Sequence, residues 1–254
     1  MSETLLFTRE GAVLNLTLNR PERRNALTVE LLESLNHALA TVDNSVRVVT
    51  LRGAGSDFSS GFDLAEGADV ETSVRHGELL VQAQMRLAEM PAVCVAMVDG
   101  FALAGGGALI AACDWVVATE AAKFGYPVLK VGIVPTPGIP FLRRQISDRA
   151  LRELVFSGDL HSGSWAHEAG LVSALAATQE DALAQRDAFI AKVLAASPDA
   201  VTTSKRFFFE TTGLGLKEEM DAALAAYSAV RRGAQSSEGL RAFLEKRPPV
   251  WPTT

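Results

Sequence analysis

Bare main-chain amides are the first chemistry this sequence offers. In FALAGGGALIAACD, residues 101–114, Gly105, Gly106 and Gly107 stand between an extended apolar run and a helix-like one. The first N–H groups of a helix have no partners inside it, and the aligned peptide dipoles favour negative charge there. Glycine removes the side chain that would cover those groups, so such a start can hold an anion, or a carbonyl oxygen that becomes anionic during a reaction. A structural reading stands beside the chemical one, because three small residues also let a helix pack tightly on a sheet. The usual phosphate patterns are incomplete: neither GxxxxGK[ST] nor GxGxxG is present. A second small-residue turn, DFSSGFDLAE at 57–66, can bring a backbone N–H to the same point.

Other candidates are side chains of the polar stretch that follows. Glu66, Asp69, Glu71 and Glu78 could each deliver a carboxylate, with His76 beside them, although charged loops are usually just solvated. His37 falls in an amphipathic segment, and His161 and His167 lie in DLHSGSWAHEAGL; surface or capping roles suit all three. No GxSxG elbow suggests an ordinary serine hydrolase. Cys94 and Cys113 lie in apolar stretches, where a free thiol is a small packed hydrophobe, and no disulfide or metal-ligand spacing appears.

These groups need elements to hold them. GAVLNLTLNR alternates apolar and polar residues at the strand period, RPERRN breaks it, and helical spacing starts after Thr28, a suitable N-cap. VRVVTLRG predicts a second strand, and the stretch Asp69–Arg75 is polar and aperiodic. Leu79–Met90 reads as a helix stopped by Pro91, VCVAMVDG as a buried strand and WVVATE as another. Strands alternate with helices to about residue 175, which predicts a parallel or mixed α/β core; the remainder, with DALAQRDAFIAKVLAAS, LKEEMDAALAAYSAV and GLRAFLEKR, is helical. No linker divides the chain, so we expect one domain over 1–254, a core to about 195 and a helical region from about 196.

Composition narrows the function classes. A hydrophobic share of 48% against 21% charged suits a globular chain with a sizeable core. A formal charge of −6 argues against nucleic-acid binding, which needs a basic stripe. No run reaches the roughly 18 apolar residues of a membrane helix, and the start MSETLLFTRE is unlike a targeting segment, so a cytoplasmic protein is expected.

Taken together, five segments resemble the crotonase, or enoyl-CoA hydratase/isomerase, superfamily: LNRPERRNAL, FSSGFDL, DGFALAGGGALIAACD, KFGYPVLKVGIVP and FLEKRPP, in family order along nearly the whole chain. The resemblance implies an α/β spiral of repeated β-β-α units, a C-terminal helical region that builds homotrimers or hexamers, and an acyl-CoA thioester as partner. Coenzyme A would then be part of the substrate, with no tightly bound cofactor and no metal. It also implies an oxyanion hole from the main-chain amides of Phe62 and Gly105, within a substrate site that takes in Ser60, Gly61, Asp63, Leu64, Ala65 and Gly106. Hydrogen bonds to a developing enolate oxygen contribute roughly 3 kcal/mol each. By the same resemblance Arg23 and Arg24 lie beside the CoA phosphates, and Phe243 and Lys246 supply adenine and phosphate contacts, often to a neighbouring subunit.

Departures from the family pattern matter as much. The two glutamates that activate water in the family's hydratases fall at Ala108 and Val128, and neither residue can move a proton. Where dehalogenase-like and decarboxylase-like members carry Asp or Tyr, this chain has Thr136 between Pro135 and Pro137, which reads best as turn scaffolding. Three functions follow: an enzyme acting through a stabilised enolate, a non-catalytic acyl-CoA carrier or sensor, and, more distantly, an α/β protein that binds phosphate or nucleotide at the glycine-rich helix start.

Overall fold

The computed structural model describes residues 4–251. One sheet carries the strands β1 (Leu5–Glu10), β2 (Val13–Leu18), β3 (Val48–Gly53), β4 (Val93–Val98), β6 (Trp115–Thr119) and β9 (Ala174–Ala176), paired in that order. Only β1, joined to β2 by a hairpin through Gly11 at φ +59°, runs antiparallel; the other pairs are parallel. β4 is buried at every position, as a central parallel strand covered on both faces must be. A second, smaller sheet pairs β5 (Phe101–Leu103) with β7 (Lys123–Gly125) and β7 with β8 (His161–Ser162).

The helices of the core are α1 (Val29–Ala40), α2 (Val70–Glu89), α3 (Gly105–Ala111), α4 (Ile139–Gln145), α5 (Asp148–Ser157), α6 (Gly163–Ala169) and α7 (Gln179–Ala195). Thr28 caps α1 as its sequence implies, with Oγ1 accepting from Leu31 N–H at 3.2 Å. α2 corrects the sequence reading: the stretch Asp69–Arg75 is its capped first turns, not a loop. Asp69 accepts from Thr72 N–H at 2.9 Å, and the polar residues that hid the helix face solvent. Both cysteines are buried, and burial pushes the Cys94 thiol up to about 12.

α8 (Pro198–Glu210), α9 (Leu216–Arg231) and α10 (Ala234–Leu244) form the C-terminal region. α8 falls in the region expected to be helical, although PDAVTTSKRFFFE carries three aromatic and three β-branched residues, which lower intrinsic helix propensity. What fastens it is Lys205, buried, with Nζ 2.8 Å from an Asp114 carboxylate oxygen and donating to Leu87 O and Ala92 O at 2.7 Å each.

Candidate active site

Two loops and one helix start meet above the parallel strands. The loop after β3 is clamped from both sides. Leu27 N–H donates to Gly61 O at 2.8 Å and Asp63 N–H to Leu27 O at 2.9 Å, making a parallel bridge between Leu27 and Phe62. Opposite, Ser59 N–H donates to Phe101 O at 2.8 Å and Leu103 N–H to Ser59 O at 2.9 Å. Successive peptide groups of an extended chain face opposite sides, so with Gly61 C=O and Asp63 N–H turned to Leu27, the Phe62 N–H turns the other way. That is the side on which β5 runs into α3. Among the described residues, neither the Phe62 nor the Gly105 amide donates to a protein acceptor.

Glycine is required at this junction for space. Gly61 has φ +89°, and a Cβ there would lie 3.0 Å from Leu103 O and 3.4 Å from Gly105 N. At the helix start each glycine admits a different neighbour. A Cβ on Gly105 would meet the Phe62 ring at 3.2 Å, one on Gly106 would meet Ser59 Cβ and O at 2.9 Å, and one on Gly107 would meet Tyr126 Oη at 3.1 Å. The tight-packing reading of the triplet therefore holds at all three. Ala104, just before α3, takes φ 44° and ψ −110°, a conformation L-residues avoid at about 1–3 kcal/mol, with its N–H anchored on Gly125 O at 2.9 Å.

The space between is an apolar cavity of about 290 Å³. Phe62, Gly105, Ser60, Leu64, Ala108 and Val128 all line it. So does Tyr126, whose buried hydroxyl has no hydrogen-bond partner; burial pushes its pKa far above the ordinary phenol value, so it stays protonated. Among the described residues, neither histidine nor carboxylate lines the cavity.

Behind the cavity wall, Asp63 ties two loops together. Arg20 donates to its Oδ2 at 3.2 Å through both terminal nitrogens, and Ala65 N–H donates to Oδ1 at 3.2 Å. Burial opposes the charge on Asp63, but these bonds and the Glu66 amide outweigh it and hold the carboxyl below its usual range. His76, fully buried in α2, stacks on the Phe62 ring at 5.0 Å and pairs with Glu66 at 2.8 Å; Glu66 also accepts from Val29 N–H at 3.1 Å.

With this geometry in view, the comparisons with known proteins agree. The family model described as enoyl-CoA hydratase/isomerase matches residues 8–254. The chain belongs to the enoyl-CoA hydratase/isomerase family. It is 36% identical to a putative enoyl-CoA hydratase of Thermus thermophilus, over 96% of this chain and 99% of that one. To the 2,3-dehydroadipyl-CoA hydratase of Escherichia coli it is 33% identical, over 98% of each. An enoyl-CoA hydratase structure from Mycobacterium smegmatis superposes with a TM-score of 0.94 at 30% identity, covering 98% of this chain and 99% of that one. The α/β architecture is the crotonase fold.

For a member of this family the remaining sequence candidates fall in three places. Gly61, Asp63, Ala65 and Gly106 shape the wall without lining the cavity. Arg23 and Arg24 lie on the adjoining loop, Arg23 3.9 Å from Asp63 and Arg24 with its guanidinium 5.3 Å above the Phe101 ring. Thr136 is exposed between the two prolines that do line the cavity, so the structure does not bring it to the site. Phe243 and Lys246 are exposed at the end of α10 and line no part of this cavity. Glu66 and Asp69 serve α1 and α2, and Glu78 pairs with Arg75 at 3.2 Å. Sequence reasoning missed Tyr126, Ala104 and the stack of His76 on Phe62. Tyr126 sat unremarked inside KFGYPVLK, two residues before Val128.

Proposed function

We propose that this cavity holds the acyl end of a coenzyme A thioester, and that the chain is an enzyme of the enoyl-CoA hydratase/isomerase type. The carbonyl oxygen accepts from the Phe62 and Gly105 amides, which stabilise the negative charge that develops on that oxygen when the thioester reacts. The observation that carries this reading is that Phe62 and Gly105, whose amides donate to no protein acceptor among the described residues, both line one apolar cavity. Preorganised donors in a dry site act strongly on developing charge. Hydratase relatives over the full chain length support the same chemistry.

Arg23 and Arg24 are proposed to face the CoA phosphates, being exposed cations on the loop that adjoins Ser60 through its N–H bond to Arg24 O at 2.9 Å. Phe243 and Lys246 would reach a neighbouring copy, in a trimer or hexamer assembled through the C-terminal helices. Supporting this, Phe208, Leu216, Met220, Leu224 and Tyr227 are exposed on α8 and α9.

A second reading, the acyl-CoA carrier or sensor, is favoured by one observation. The positions where the family resemblance expects catalytic glutamates are Ala108 and Val128, and both line a cavity whose described lining includes no carboxylate. Calorimetric titration with CoA, butyryl-CoA and ATP, followed by crotonyl-CoA absorbance at stoichiometric protein, distinguishes them. Butyryl-CoA binding with loss of enoyl absorbance is the expected result; binding with unchanged absorbance would leave the carrier, and binding of ATP alone would sink both.

A further inference from the structure

We propose that His76 is a positioning residue for the thioester site: its ring wedges the Phe62 side chain against α3 and so fixes where the Phe62 amide points. This rests on the acyl-thioester reading above. His76 lies on α2 and lines no part of the cavity. It is fully buried, and its Nδ1 has no hydrogen-bond partner. What places the ring is one bond and one stack. Nε2 stands 2.8 Å from Glu66 Oε2, and the ring lies on Phe62 with centroids 5.0 Å apart and 25° between the planes.

The Phe62 amide needs such a support. Its peptide group is held on the carbonyl side, where Gly61 O accepts from Leu27 N–H at 2.8 Å, while the N–H donates to no protein acceptor among the described residues. Gly61, at φ +89°, has no side chain to restrain that plane. The restraint comes from the Phe62 ring. On one side it meets His76; on the other, a Cβ built on Gly105 would lie 3.2 Å from its Cε1 and 3.3 Å from its Cδ1. One clamped ring therefore spaces the two residues whose amides meet the thioester oxygen.

His76 is itself braced. Glu66 also accepts from Val29 N–H at 3.1 Å, at the start of α1. Two residues earlier, Leu27 bridges Phe62 and has its Cδ1 3.1 Å from the same built Cβ on Gly105. Glu66, His76, Phe62, Gly105 and the entry to α1 form a closed frame behind the oxygen site. Removing the imidazole leaves a space behind Phe62 that neighbours refill only in part, so the ring can retreat from Gly105. A displacement of about 1 Å is enough to spoil such a site.

The test compares butyryl-CoA with S-butyl-CoA, a thioether of the same length that lacks the carbonyl oxygen. Calorimetry is run on the unaltered protein, on His76→Gln, which keeps an amide in reach of Glu66 but has no ring, and on His76→Phe, which keeps the stack. The unaltered protein should bind butyryl-CoA about tenfold more tightly than the thioether, the net worth of two hydrogen bonds to one oxygen. In His76→Gln that preference should fall to near parity with S-butyl-CoA affinity unchanged, and in His76→Phe most of it should return. A preference that survives in His76→Gln, equal losses for both ligands, no recovery in His76→Phe, or failure of either variant to fold would each overturn the positioning role while leaving the acyl-CoA reading intact. A parent that binds neither ligand, or both equally, would overturn that reading as well.

Discussion

α3 and α9 are built to opposite plans. The seven residues of α3 are all buried, whereas none of the sixteen in α9 is. The shorter helix is surrounded: Phe62 and Leu27 at Gly105, Ser59 at Gly106, Tyr126 at Gly107, and Gln84 of α2 donating to Ala108 O at 3.0 Å. The longer helix packs chiefly on α8 and α10 and presents Met220, Leu224 and Tyr227 to solvent. A helix gripped on every face holds its amides to fixed positions, which suits it to define a site. One that leaves a large apolar surface open has burial still to gain, which suits it to assembly.

Breaking the joint between the two regions should cost most. Lys205→Ala leaves Asp114 and the carbonyls of Leu87 and Ala92 without their buried cation, and urea denaturation should show a loss of about 3–5 kcal/mol. A loss under about 1 kcal/mol would mean that α8 is held by packing alone. Next in size, Gly106→Val drives side-chain atoms into Ser59 and should destabilise by about 1–3 kcal/mol. Ala225→Val, at an exposed position of α9, should change stability by no more than about 0.5 kcal/mol. Equal costs at the two sites would erase the contrast drawn above. Smallest in folding energy is the double change Met220→Glu with Leu224→Glu. It should leave the circular dichroism spectrum unchanged while light scattering reports a shift from trimer or hexamer to monomer. An unaltered mass would exclude this face from the interface.

Which parts could be read in advance follows from how local their causes are. The α1 cap at Thr28 depends on residues within one turn, and β2, β3 and β4 on a short apolar pattern, so the sequence sufficed for them. Phe62 and Gly105 were singled out only by resemblance to family motifs; that they share one cavity depends on the fold. The first turns of α2 were not, because that helix earns its place through an Asp69 cap and a buried His76 whose partners are Glu66 and Phe62. Thr136 reads as turn scaffolding in sequence, and the turn places its flanking prolines, not the threonine, against the cavity.

The sequence by itself determined the glycine positions, the α/β alternation and the absence of glutamate at residues 108 and 128, since each is a property of residue type or short-range spacing. Only the tertiary structure decided which neighbour each glycine admits, that Phe62 and Gly105 line a single cavity, and that the Tyr126 hydroxyl is buried without a partner. Those facts depend on segments far apart in the chain, from Leu27 to Gly138, being pressed together by β-pairing and core packing, and no local pattern encodes where such segments will touch.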